Sequence, residues 1–191
     1  MTAISYQVQL ADLHAHFYQV TLTVAEPQAL QTLSLPVWIP GSYLVREFSK
    51  HLQRLEARQG GREVQLTQLD KCCWQAQCAT DQPLVMSYEV YALDNSVRTA
   101  WLDTQRGFFN GSSLFLQVHG QQDAPHELQL IAAAGLPSWQ VATGLTPVKI
   151  GRKGFGRYRA VNYDELVDCP VEMGDYKLIY NGFTNIETYK S

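Results

Sequence analysis

The feature that most constrains this chain is a period-two alternation of apolar and polar residues along most of its length. In 18–24 every second residue is apolar, and similar short runs occur at 33–39, 51–58, 64–66, 84–90, 114–118, 128–130, 139–143 and 158–161. This alternation places successive side chains on opposite faces of a half-buried strand. Turn-forming residues separate the runs at intervals of about ten residues. The pattern therefore predicts a mainly β fold, either an antiparallel β-sandwich or a saddle-like open sheet with one or two short helices.

Few segments carry helix signals. Asn162 is suited to cap a helix, Glu165 follows three residues later, and Pro170 ends the run. A second helical turn is predicted to start at Ser42. The Gly60-Gly61 pair predicts a hairpin turn between two strands.

Composition excludes several classes of partner. The 191 residues include 15 basic and 18 acidic side chains, with a net charge of -3, so no basic face for nucleic acid is predicted. No apolar run reaches the roughly 20 residues that a membrane span needs. The first residues read as a strand rather than a secretory signal, so a cytoplasmic location is expected.

The sequence offers little catalytic chemistry of its own. Zinc peptidases of the HExxH type need two histidines one helical turn apart, and His126-Glu127 begins that pattern without completing it. His14 and His16 are predicted as polar turn positions rather than metal ligands. The four cysteines are expected to be free, mostly buried thiols. The glycine- and arginine-rich stretch 151–157 precedes a strand, so it predicts a hairpin tip rather than a phosphate loop. No metal or other cofactor is predicted in this chain.

Two segments, 35–48 and 98–111, are unusually rich in tryptophan, other aromatic residues, arginine and glycine. Trp38 and Trp101 are predicted to plug the core, with arginines lying over them. For 106–111 two interpretations stay open. Its adjacent aromatics belong either to the core or to a loop presented to a partner.

These segments resemble a known family. The run Leu-Pro-Val-Trp-Ile-Pro-Gly-Ser-Tyr-Leu-Val-Arg-Glu-Phe at 35–48 is similar to the N-terminal signature of the glycyl aminopeptidases, which are zinc metallopeptidases with a PDZ domain. Residues 98–116, 139–143 and 163–174 resemble three further blocks, in the family's order. The resemblance implies an N-terminal β domain over 5–174. Residues 175–191 are expected to be either an extension or the start of a catalytic domain.

The resemblance also implies a function. The chain is expected to be a non-catalytic domain of a parent enzyme that cleaves N-terminal glycine or alanine, with zinc held in the absent catalytic domain. Its expected partners are that catalytic domain and a peptide substrate. We expect the domain to wall part of the substrate cleft, through Arg106, Phe108, Phe109, Asn110 and Gly111. Asn110 would accept a hydrogen bond from the substrate's ammonium group, and Phe108 or Phe109 would limit the first side chain.

A rival hypothesis and one surface prediction accompany this interpretation. The rival is a free-standing β-sandwich module that binds carbohydrate or peptide on exposed aromatics. If the chain does belong to an enzyme, an apolar patch is expected where the catalytic domain packs. We place that patch at Phe108-Phe109 and near Met173, and we expect it to permit dimerisation.

Overall fold

The computed structural model describes residues 4–39, 44–132, 135–180 and 186–189, with side chains described as far as residue 176. One α-helix, α1, covers Tyr163–Asp168, and two 3₁₀ turns cover Phe48–His51 and Gly111–Ser113. The strands, numbered in chain order, are β1 (Ile4–Asp12), β2 (Phe17–Val24), β3 (Leu30–Ser34), β4 (Leu52–Gln59), β5 (Arg62–Glu63), β6 (Leu66–Asp70), β7 (Cys73–Gln77), β8 (Leu84–Tyr91), β9 (Ala100–Leu102), β10 (Arg106–Phe109), β11 (Gln117–Val118), β12 (His126–Leu130), β13 (Gln140–Thr143), β14 (Thr146–Ile150), β15 (Gly156–Ala160), β16 (Val171–Gly174), β17 (Lys177–Tyr180) and β18 (Ile186–Tyr189).

An open eight-stranded sheet forms the main layer, in the order β14-β15-β12-β1-β2-β8-β4-β5. Its long strands β2 and β8 alternate between buried and half-buried residues along their full length, as the period-two pattern predicts. The mainly β fold with an open sheet is confirmed. One pair departs from the antiparallel prediction, because β1 and β12 run parallel. These two strands are more than one hundred residues apart in the sequence, and a parallel pair needs a long crossover rather than a hairpin.

Three smaller sheets complete the strand pairing. Two have four strands, in the orders β13-β16-β10-β9 and β11-β3-β7-β6, and the third is the ribbon β17-β18. Aromatic side chains from the main sheet contact aromatic residues of β10 and of the segment that follows it. The ring centroids of Tyr6 and Phe115 are 4.9 Å apart, and those of Tyr18 and Phe109 are 5.4 Å apart. The hydrophobic core therefore lies between the main sheet and the segments that cover it.

The strand predicted over 114–118 is present only at Gln117–Val118. Tyrosine hydroxyls, rather than a neighbouring strand, donate to three successive carbonyl oxygens before it. The three bonds are Tyr88 to Leu114 at 2.8 Å, Tyr163 to Phe115 at 2.6 Å and Tyr6 to Leu116 at 2.7 Å. These backbone acceptors are satisfied by side chains, so they need no β-ladder.

The predicted turns and helix cap agree with the structure. Asn162 accepts a hydrogen bond from the backbone N–H of Glu165 at 2.9 Å, which caps α1. The Glu165 carboxylate in turn accepts from the N–H of Val161, one residue earlier than in a standard capping box. Gly60 and Gly61 join β4 to β5 with φ angles of 55° and 79°, which favour glycine. The stretch after Ile150 forms the tip of the β14–β15 hairpin.

Other local predictions were wrong or fall outside the described residues. Ser42 lies outside them, and the helical turn nearby covers Phe48–His51. Trp38 does not plug the core, because 54% of its surface is exposed. Strand β3 ends at Ser34, and Pro36, which lacks a backbone N–H, follows as the chain leaves the sheet. All four cysteines are free, as predicted, but half-buried rather than mostly buried.

Candidate functional site

The candidate site lies on the four-stranded sheet β13-β16-β10-β9 and on the turn after β10. Arg106 and Phe108 are two residues apart on β10, so they share one face of this sheet. The guanidinium carbon of Arg106 lies 5.5 Å from the centroid of the Phe108 ring. Arg106 Nε also donates to Glu172 Oε1 on β16 at 3.1 Å, and both side chains are about 30% exposed (30% and 28%). The face therefore carries a partly buried ion pair beside an aromatic ring.

Trp101 extends this face, because it pairs with Phe108 in the β9–β10 register. Its indole Nε1 donates to Asp103 Oδ2 at 3.0 Å. Partial burial disfavours the charged form of Asp103. The backbone N–H groups of Gln105 and Arg106 and the indole together outweigh that burial, so the pKa of Asp103 lies below its ordinary value. The turn that leads into Arg106 is thus built around an ionised carboxylate.

Phe109 faces the opposite way and belongs to the core. It is 0% exposed, and its ring meets those of Tyr18 and Phe115 edge-on at 5.4 and 5.7 Å. The apolar patch predicted at Phe108-Phe109 and Met173 is wrong, since Phe108 is 7% and Met173 1% exposed. Phe109 contacts core rings from one face of β10, and Arg106 lies over Phe108 on the other face. Dimerisation itself stays a prediction, although the patch assigned to it is buried.

Asn110 follows β10 and shapes the 3₁₀ turn. Its side-chain oxygen accepts from the backbone N–H of Ser112 at 3.1 Å, and its carbonyl oxygen accepts from the Ser113 hydroxyl at 2.7 Å. An amide oxygen has two lone pairs, so Asn110 Oδ1 retains the capacity to accept a second hydrogen bond.

Gly111 allows this turn to approach helix α1 closely. A Cβ atom at position 111 would lie 2.8 Å from the Cα of Val167 and 2.9 Å from the carbonyl oxygen of Leu166. Both distances are shorter than a carbon atom tolerates, so only glycine fits without a shift of the helix. Gly111 therefore acts through backbone packing.

The structure thus brings together only some of the five predicted residues. Arg106 and Phe108 share a face, Asn110 and Gly111 form the adjoining turn, and Phe109 is buried on the other side. Sequence reasoning missed the ion-pair partner Glu172. Nothing in the 163–174 block indicates that Glu172 pairs with Arg106. Glu172 lies opposite Phe108 because of the β10–β16 register, which joins residues more than sixty positions apart.

The described residues offer no site that fits a zinc ion. Across the described ranges, no group of three His, Cys, Asp or Glu side chains lies close enough to hold a metal ion. His16 has φ 64° in the turn between β1 and β2, and His126 is buried in the core. The zinc site that the resemblance places in a catalytic domain stays a prediction. Within the described residues, no helix is long and apolar enough to cross a membrane.

Comparison with known proteins decides the family. Residues 5–175 match the model of the peptidase M61 N-terminal domain. The chain belongs to that family. The coarser part of the resemblance, an N-terminal domain of a peptidase, is confirmed, whereas the glycine preference and the PDZ domain stay predictions. The match ends at residue 175, and the nature of 175–191 also stays a prediction.

Solved structures agree with this M61 assignment. An aminopeptidase N family protein from Idiomarina loihiensis is 41% identical with a TM-score of 0.91, and the match covers 97% of this chain and 32% of that one. This M61 domain therefore spans about a third of that relative. Native leukotriene A4 hydrolase from Saccharomyces cerevisiae is 10% identical with a TM-score of 0.53, over 94% of this chain and 29% of that one. The yeast enzyme in complex with bestatin is 12% identical with a TM-score of 0.54, over 93% and 29%. The yeast enzymes share the fold. No curated protein matches the chain.

Proposed function

We propose that this M61 domain is the non-catalytic N-terminal part of a zinc metallo-aminopeptidase and that it packs against a catalytic domain. The observation that carries the proposal is the high identity to an aminopeptidase N family protein of which the chain covers about a third. The other two thirds of that relative's length leave room for a zinc site, which the described residues of this chain do not form.

Within that arrangement, we propose that the Arg106, Phe108 and Asn110 side chains wall part of the substrate cleft. The Arg106–Glu172 pair fixes two charges on the face beside Phe108, and Asp103 holds the turn that begins β10. Asn110 Oδ1 keeps a lone pair with which to meet a free ammonium group. Gly111 positions this turn against α1, and Phe109 supports it from the core. By the family resemblance, the parent enzyme removes N-terminal glycine or alanine.

A division of the parent enzyme into two polypeptides tests the proposal. The part that follows residue 175 is expressed alone, and its cleavage of glycyl and alanyl p-nitroanilides is measured with and without this chain added in trans. We expect the chain alone to be inactive, since it lacks a metal-activated water and a general base. We expect its addition to raise the kcat/KM of the remainder. If the remainder has the same kcat/KM and the same substrate preference without the chain, the proposed role is wrong.

The rival module is not favoured. The family match is to a peptidase domain along 171 of the 191 residues, that is, from 5 to 175.

A further inference from the structure

A separate pocket of about 380 Å³ lies between the β11-β3-β7-β6 sheet and helix α1. Its wall combines the segment after β3, the turn between β6 and β7, and residues of α1. The volume is within the range of about 300–1,000 Å³ typical of small-ligand sites. Neither the family match nor the proposed cleft wall accounts for this pocket.

The charge in this pocket is negative. Asp70 at the end of β6 and Asp164 on α1 both line it, and none of its described lining residues is lysine or arginine. The backbone N–H of Cys72 donates to Asp70, which holds the pKa of that carboxyl below its ordinary value and keeps it ionised. Lys71 is adjacent in sequence, but its ammonium group pairs with Glu47 at 3.0 Å.

The rest of the wall suits the apolar arm of a cation. Pro36, Val37 and the exposed Trp38 line one side, and an indole face attracts organic cations. His119 closes another part through a contact of 2.8 Å between its Nε2 and Ser34 Oγ.

One buried polar group in the wall lacks a partner. Ser112 lines the pocket, and its buried hydroxyl has no hydrogen-bond partner within the described part of the chain. Buried hydroxyls are nearly always paired, so an unpaired one points to a group supplied from outside.

We infer that this pocket binds an organic cation with a short apolar arm, either a free alkylammonium or guanidinium compound or a lysine or arginine side chain of another polypeptide. The carboxylates of Asp70 and Asp164 compensate its charge, Trp38 packs on its arm, and Ser112 offers a hydrogen bond. This inference is independent of the proposed function.

Cysteine protection tests the inference, because Cys72 and Cys73 line the pocket whereas Cys78 and Cys169 do not. The chain is alkylated with iodoacetamide at mildly alkaline pH, since burial raises the pKa of both pocket thiols. The rate at each cysteine is followed by mass spectrometry. Butylammonium should slow alkylation of Cys72 and Cys73 about fivefold or more at saturation while Cys78 and Cys169 are unaffected. The neutral analogue n-butanol should protect much less.

Two variants test the role of the carboxylate, and a second ligand identifies the source of the cation. Asp164→Asn should weaken butylammonium binding about fivefold, as expected for a partly solvated charge pair, whereas Asp168→Asn on the same helix should not. Comparison with the peptide acetyl-Gly-Lys-Gly-amide identifies the source, since tighter binding of the peptide indicates a protein side chain and tighter binding of butylammonium a small amine. Equal protection by n-butanol, equal binding by the two variants, or no protection by either cation would overturn the inference.

Discussion

The hydroxyl of Tyr6 donates a hydrogen bond of 2.7 Å to the carbonyl oxygen of Leu116, and both residues are buried. Tyr88 and Tyr163 make the same contact with the two preceding carbonyls. The three tyrosines come from β8, α1 and β1, so the bonds tie the main sheet and the helix to one covering segment. That segment leads directly from the turn that carries Asn110 and Gly111. The position of the candidate site therefore depends on buried side-chain hydrogen bonds as well as on strand pairing.

The first prediction concerns this tyrosine cluster. Tyr6→Phe removes one hydroxyl and leaves the Leu116 carbonyl buried without its partner, which should cost about 1–3 kcal/mol of unfolding free energy. Urea denaturation followed by fluorescence measures the loss. Tyr91→Phe is the matched control, because Tyr91 is only half-buried at the end of β8, and it should change stability little. A Tyr6→Phe variant as stable as the unsubstituted chain would show that the Tyr6 hydroxyl contributes nothing.

The second prediction is a loss of stability at alkaline pH. Burial raises the pKa of Tyr6, Tyr18 and Tyr163 well above the ordinary value near 10. The unfolded chain loses these protons first, so stability is complete below about pH 10 and falls as pH rises above it. Each such group adds a slope of about 1.4 kcal/mol per pH unit.

Urea denaturation at a series of pH values from neutral to above 10 measures this slope. Tyr6→Phe should reduce the slope by about 1.4 kcal/mol per pH unit, the contribution of one tyrosine. A slope that is unchanged in that variant, or an unfolding free energy that does not fall above pH 10, would contradict the account.

The third prediction concerns Gly111. Gly111→Ala places a methyl group against the backbone of α1 and should cost about 1–3 kcal/mol, as overpacking does. Gly151→Ala is the control, because its Cβ would lie at an ordinary 3.6 Å from the Phe155 carbonyl oxygen. Thermal unfolding of the two variants distinguishes them. A stable Gly111→Ala variant would mean that α1 moves freely away from the turn.

Much of this architecture was predictable because it is local. The alternation in β2 and β8, the Asn162 cap and the Gly60-Gly61 turn each follow from a few neighbouring residues. The failures concern long-range relationships. Leu114 and Leu116 look like strand residues, yet tyrosines up to 110 positions away satisfy the carbonyls of this segment.

In the candidate site, too, local relationships were predictable and long-range ones were not. Arg106 and Phe108 share a face because of simple period-two geometry. Adjacent phenylalanines on a strand point in opposite directions, and the sequence does not indicate which of them contacts the core rings and which lies under Arg106. The pairing of Arg106 with Glu172 depends on the β10–β16 register. Five separate stretches of sequence line the pocket beside Ser112, so no single motif predicts it.

The cleft wall is the central claim, and the kinetics of Asn110→Ala in the full-length parent enzyme test it most directly. Loss of one hydrogen bond to a charged amine should lower kcat/KM on a glycyl substrate about ten- to a hundredfold. Asn162→Ala is the control, because it removes a similar cap at the start of α1. Its cost of about 0.5–2 kcal/mol in stability should leave kcat/KM unchanged. Melting temperatures are measured on the same samples. A lowered kcat/KM for Asn110→Ala alone is the predicted result, and a lowered melting temperature with wild-type kcat/KM in both variants would contradict the account.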